Sequence, residues 1–383
     1  MAIDLILVGS KIRRYREQLE LSVNELSVAT GIASESLELY EAGEREPTGD
    51  EILILADFFR CDYKFFISNE KLAPFEETEQ LYRRYGDDFS KADRRSIQDF
   101  LFLCETEEYL IRQLGLDKRR QSFQFRKKGD YFKGHGAEAA AALRQLLGYG
   151  PNEVGMNIYE DIRNIGVHVF RRKLGNSNIS GLYIRHPTAG KCILVNYSED
   201  VYRQRFTAGH ELAHTILDDK EDFIVSFAKW DKKDLVEIRA NTFSSRYLMP
   251  PEFLRSIPQA EAWTVKKSVE WAKRLKVSTE ALAYALQEAG LIDNAIASEL
   301  KTARVPPSEK IDPELPADLP ARSYERKKQL LELGLSDYYV GLCFECYHNG
   351  IISRGKLAEC LLLDDAELQG VADLYGRSFA YGD

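Results

Sequence analysis

Along residues 1–67 the apolar positions recur at helical spacing. Ile12, Tyr15 and Leu19 share one face, and Ile52, Leu55, Ala56 and Phe59 repeat i, i+3, i+4, i+7. Gly31 and Gly43 stand where helices should end. The pattern predicts about five short helices, with a tight turn at Gly31–Ile32 between the second and third. Residues 68–136 predict a helical connector in which Ser90 to Leu114 form one long helix, with Ile97, Leu101, Cys104 and Ile111 on one stripe. That stripe suits packing on a neighbouring domain or pairing of two copies as a homodimer. From Ala137 the period changes. Helical runs at Ala137–Leu147 and Asn157–Asn164 precede strand-like runs at Val167–Phe170, Ile179–Ile184 and Cys192–Asn196, and helices resume from Tyr202 to about Gly290. Val305–Pro320 carries five prolines among acidic residues, the mark of a linker. A last helical piece starts at Ser323. The expected class is α+β: an all-α domain at 1–67, the connector at 68–136, an α/β domain at 137–300, a linker at 301–322 and a C-terminal helical domain at 323–383.

Composition narrows the class. The 383 residues are 44% hydrophobic and 30% charged, which excludes wholesale disorder. Met1–Ser10 holds Asp4 and no Lys or Arg, unlike a secretory leader. No apolar run reaches the roughly 18 residues of a spanning helix, and the six cysteines are irregularly spaced, unlike a secreted disulfide scaffold. These features predict a cytoplasmic chain with no membrane partner. The net charge of -9 argues against a generic nucleic-acid binder, so charge must be read by segment. One segment stands out: residues 115–136 carry Lys118, Arg119, Arg120, Arg126, Lys127, Lys128 and Lys133 against Asp117 and Asp130, a net of +5. Phe123, Phe125, Tyr131 and Phe132 interleave there. A solvated linker and a single-strand binding strip both fit that composition.

The chemistry concentrates at Phe206–His214, within which His210-Glu211-Leu212-Ala213-His214 forms an HExxH motif. On a helix, His210 and His214 lie on one face and can close on a single ion, and imidazole nitrogens suit zinc. Glu211 lies about 100° round from His210, beside the ion, where it serves as a general base. Only 6 of 383 residues are His, so on the order of 0.01 chance matches are expected. A catalytic zinc needs a third protein ligand. Glu237, on a second helix, is the leading candidate; Asp218, Asp219, Glu221 and Asp222 compete from the intervening loop. Asn241, one turn beyond Glu237, could hydrogen-bond a ligand. Tyr202, Arg205, His168 and Tyr247 are candidate oxyanion donors.

Phe206–His214, followed by Glu237, Ala240-Asn241, Phe243 and Leu248-Met249-Pro250, with Gly181-Leu182 and Val195-Asn196 upstream, resembles the ImmA/IrrE family of bacterial metallopeptidases. The resemblance implies a zincin-like fold, zinc on His210, His214 and Glu237, and Glu211 as base. It also implies a protein substrate, typically a helix-turn-helix repressor, cut during a stress or mobile-element response. Arg239 departs from the family, which often places an acidic residue there. A non-enzymatic regulator that uses the same domain as a sensor is the alternative.

Residues 10–67 resemble the XRE-family helix-turn-helix domain. The matching residues are Ile12–Arg16, Val23–Leu26, Ala29–Ile32, Leu37, Tyr40–Gly43, Arg45–Pro47 and Leu55-Ala56. The resemblance implies duplex DNA contact through Arg13, Arg14, Arg16, Asn24, Ser34, Ser36 and Arg45, with the third helix in the major groove. Charge opposes this. Residues 1–67 hold seven basic and thirteen acidic side chains, a net of -6, and the reading helix carries Glu35, Glu38 and Glu41. Either weak DNA binding or docking of a protein such as a related repressor is expected. Finally, Cys343, Cys346, His348 and Cys360 suggest a second zinc site, but their spacing fits buried helix cysteines better.

Overall fold

The computed structural model describes residues 4–69, 76–127, 129–130, 132–229, 234–316 and 318–379. The chain divides into two compact units: residues 1–105 with 174–176 and 186–188, and the remainder.

The first unit is helical: α1 (Leu5–Gln18), α2 (Val23–Thr30), α3 (Ser34–Ala42), α4 (Gly49–Phe59), α5 (Tyr63–Ile67), α6 (Glu76–Tyr85) and the first part of α7 (Lys91–Gln113). Local chemistry sets the ends. Ser22 with Glu25 and Thr48 with Glu51 form capping boxes on α2 and α4. Gly31 and Gly43 close α2 and α3 with φ of 74° and 73°, a conformation that favours glycine. Leu26, Leu37, Tyr40, Leu55, Phe59 and Phe66 are the buried apolar centre.

The second unit continues with α8 (Phe132–Leu146), α9 (Ile158–Asn164), β1 (His168–Arg172), β2 (Ile179–His186), β3 (Gly190–Asn196), α10 (Val201–Leu217), β4 (Phe223–Phe227) and α11 (Leu235–Leu248). Then come α12 (Pro251–Ser256), α13 (Val265–Leu275), α14 (Thr279–Glu288), α15 (Asn294–Thr302), α16 (Ala321–Glu332), α17 (Asp337–His348), α18 (Arg354–Cys360) and α19 (Asp365–Leu374). The sheet is mixed, in the order β1-β3-β2-β4. β1 runs parallel to β3 with Phe170 opposite Leu194, and β4 runs antiparallel to β2 with a bulge between Ile179 and Gly181. The core spans Leu143, Val195, Leu212, Phe243, Tyr247 and Leu286, packing α8, the sheet, α10, α11 and α14 together.

Two expectations change. A strand, β4, occupies part of the stretch expected as a loop around Asp218 to Lys232, the last of which lies outside the described residues. The segment expected as a Pro-rich linker, 301–322, is held at two of its carboxylates: Asp312 accepts from Arg171 of β1 at 2.7 and 2.9 Å, and Glu314 pairs with Arg163 and Arg171 at 2.9 Å. The C-terminal helices also belong to this unit. Lys173 N–H donates to Glu332 O at 3.0 Å, and Tyr339 packs edge-on to Phe170.

Candidate metal centre

α10, of 17 residues, is buried along almost its whole length from Gln204 to Leu217. It lies against the sheet on one side and α11 on the other. Gly209 makes the second approach close: a Cβ there would meet Ser244 Oγ at 2.6 Å. Ser244 itself donates to Phe206 O at 2.7 Å, pinning α11 onto α10. This crossing carries Glu237, in the first turn of α11, over the histidines.

His210 Nε2 lies 3.1 Å from His214 Nε2, and Glu237 oxygens stand 3.2 Å from the former and 3.6 Å from the latter. One ligand atom from each of the three residues falls within 4.8 Å of the others. The outer imidazole nitrogens are occupied: His210 Nδ1 donates to Asn241 Oδ1 at 3.1 Å and His214 Nδ1 to Asp218 Oδ2 at 2.9 Å. Each ring is thereby fixed with Nε2 turned inward. Asp218, the C-cap residue of α10, thus backs a histidine, and Asp219, Glu221 and Asp222 do not join the cluster. Arg239 pairs with Asp218, which gives the family-atypical cation a partner. The i, i+4 spacing of His214 and Asp218 was a legible signal for this contact.

Glu211 is fully buried beside the cluster, and neither carboxylate oxygen meets a donor at good hydrogen-bond geometry among the described residues. Burial raises its carboxyl above the ordinary range, with His210, His214 and Ser226 of β4 pulling the other way. Burial also opposes the charge on Glu237, but the two imidazoles outweigh it and hold that carboxyl well below the usual range. Two neutral-capable nitrogens and an ionised carboxylate converging on one point are a donor set that fits a zinc-like divalent ion. An orphaned buried carboxylate next to it fits a site that also holds water. Gly181 in β2 shapes this space: a Cβ there would lie 2.6 Å from Glu211 Oε1.

Residues 162–287 match a peptidase family described as the IrrE N-terminal-like domain, and residues 12–66 match a helix-turn-helix family. The chain joins an XRE-type helix-turn-helix to an ImmA/IrrE-type domain. No curated protein matches the chain. Members of the IrrE-like peptidase family are typically metal-dependent. No described helix is long and apolar enough to cross a membrane.

Four residues expected near the IrrE-like centre have other work. His168 faces Glu107 and Glu108 in a buried ion cluster. Arg205 donates to Leu275 O and Lys276 O at 2.7 Å, and Tyr247 donates to Asp161. Tyr202 is buried, with Lys310 over its ring. Part of the basic segment is likewise committed. Phe123 and Phe125 pack on the core, Arg120 pairs with Glu108, and Lys127 Nζ donates to Leu217 O at 2.5 Å. Phe123 and Phe125 are therefore not free to stack on bases; Lys128 and Tyr131 lie outside the described residues. Cys343, Cys346 and Cys360 are buried free thiols, and His348 donates to Ser378 O, so these four do not form a ligand group.

In the helix-turn-helix unit the candidate DNA contacts are partly spent. Glu41 accepts from Arg16 at 2.6 and 2.8 Å and from Arg13 at 3.2 Å, and Arg14 pairs with Glu79. Arg45 donates to Ser36 Oγ at 3.1 Å and lies over Tyr40. Asn24 is exposed and Ser34 half-buried.

Proposed function

We propose that this chain is a zinc-dependent endopeptidase that cleaves a partner transcriptional regulator, the nearest candidate being a helix-turn-helix repressor. The observation that carries the reading is the convergence of His210 Nε2, His214 Nε2 and the Glu237 carboxylate beside the buried carboxylate of Glu211. A zinc ion held by those three residues would supply charge that polarises the scissile carbonyl and acidifies water. Glu211, its carboxyl raised by burial, is suited to take a proton from the attacking water and deliver it to the leaving amide nitrogen. Asn241 and Asp218 hold the two imidazoles in the tautomer that points Nε2 inward.

The reading is tested with two variants. Glu211→Gln keeps the shape of the side chain and removes the base, so it should bind zinc at one equivalent and lose cleavage of the repressor. His214→Ala should lose stoichiometric zinc. Unchanged cleavage by Glu211→Gln would remove the base, and unchanged zinc in His214→Ala would remove the ligand assignment. Full zinc binding with regulation insensitive to Glu211→Gln would favour a sensor over an enzyme.

A further inference from the structure

We propose that the outer face of α3 is a docking surface for a protein rich in Lys and Arg, in place of duplex DNA. The face is a continuous stripe. Glu35, Glu38, Leu39 and Ala42 fall at i, i+3, i+4, i+7 and are all exposed, while Leu37, Tyr40 and Glu41 turn inward. Glu35 and Glu38 have no ion-pair or hydrogen-bond partner among the described residues. Leu39 adds an apolar contact at 38% exposure, and Val28 on neighbouring α2 is 81% exposed.

A reading helix enters a groove lined on both sides by phosphates, where two unpartnered carboxylates are repelled. Five of the seven cations of residues 1–67 are committed elsewhere, and a sixth, Arg45, is held by Ser36 Oγ and the Tyr40 ring. Arg13 and Arg16 neutralise the buried Glu41, Arg14 pairs with Glu79, Arg60 pairs with Asp57 at 2.8 Å, and Lys11 is buried against Phe65 O and Ser68 O. The remaining net charge of residues 1–67 is that of an anion, -6. A surface of carboxylates around an aliphatic side chain is complementary to a protein surface of Lys and Arg around an apolar recess, which is the surface that nucleic-acid binders carry. The helix-turn-helix would then recruit a DNA-binding protein by occupying the surface with which that protein meets phosphate. This inference concerns binding alone and stands or falls independently of the peptidase reading.

The test uses the full-length chain and two fluorescent probes, a helical peptide of about 20 residues with Lys and Leu at i, i+3, i+4 spacing, and a mixed-sequence duplex of about 30 base pairs. The expected result is salt-sensitive peptide binding that weakens about tenfold in Glu35→Gln/Glu38→Gln, with no duplex binding at physiological salt. Leu39→Ala should weaken the peptide without changing the salt dependence. Peptide affinity unaltered in the double variant would overturn the proposal. So would duplex binding by the unsubstituted chain that tightens when the two carboxylates are removed, which would make DNA the ligand.

Discussion

Gly181 occupies a position where even a methyl group would press on Glu211 Oε1 and, at 2.8 Å, on Thr207 Cγ2. The carboxylate is the movable partner, so Gly181→Ala should swing Glu211 out of line and leave the ligands in place. Cleavage should fall by on the order of a hundredfold while zinc stays equimolar and stability drops by only about 1–2 kcal/mol. Metal analysis alongside a cleavage assay checks this; a parallel loss of zinc and activity would mean Gly181 serves the ligand set instead. At this scale the sequence was informative wherever chemistry sits within one helical turn. His210, Glu211 and His214 were legible because a single helix carries all three. Glu237 and Asn241 were legible as a pair one turn apart. Asp218 was weighed as a ligand because a carboxylate near a metal motif admits either role, and only the direction of His214 Nδ1 assigns it as the hydrogen-bond partner. Arg239, unexplained by the motif itself, has its partner in Asp218.

At the scale of elements, the crossing of α10 and α11 sets the position of Glu237, the proposed third ligand. Gly209→Ala would put a Cβ 2.6 Å from Ser244 Oγ and 3.2 Å from Ile158 Cδ1, forcing the helices apart. Zinc affinity should drop about tenfold or more, since Glu237 rides on the displaced helix. Adding Ser244→Ala removes the obstructing hydroxyl and should recover part of the loss, a non-additive result expected of residues in contact. Chelator competition measures both; strictly additive losses would show that the two helices do not couple through this contact. The elements themselves were legible where they were long or capped, as in α7, α10 and the capping boxes of α2 and α4. β4 was not. Phe223-Ile224-Val225-Ser226-Phe227 is short and lacks alternation, so its period cannot separate strand from loop. It gains its identity by pairing with β2, a long-range contact, and it matters because it brings Ser226 toward Glu211.

At the scale of the whole molecule, charged side chains join distant segments in ways that hydrophobic periodicity does not encode. The proline-rich stretch has the composition of a linker, and only its contact with Arg171 turns it into a strap. Arg171 is 1% exposed, so Asp312→Ala would leave a buried guanidinium with Glu314 and Gln204 as partners and should cost about 2–4 kcal/mol in urea unfolding. A cost below about half a kcal/mol would show the strap to be loosely held. The second such junction ties α7 to β1 and has a pH signature. Burial disfavours the His168 cation, but Glu107 at 2.5 Å from Nδ1 and Glu108 at 3.2 Å from Nε2 outweigh burial and raise its pKa to about 9. Both ring nitrogens face carboxylates, so the imidazolium is the form the fold selects. A group raised in the folded state contributes fully below its unfolded pKa, near 6.5, and that contribution disappears as pH climbs through about 9. Glu108 works in the opposite sense. Burial raises it, but His168 and Arg120 lower it to about 2, so its contribution is present above the unfolded value of 4.5 and fades only in strong acid. Between pH 6 and 9.5 the unfolding free energy of the unsubstituted chain should therefore fall by a few kcal/mol, on the order of the linkage expected for a shift of this size. His168→Gln cannot titrate, so its curve should start lower and run flatter across the same interval. The difference between the two curves isolates His168 from every other titrating group, the metal-centre histidines included. Parallel curves would mean that this buried cluster holds a neutral imidazole and that the carboxylates are balanced by Arg120 and Arg112 instead.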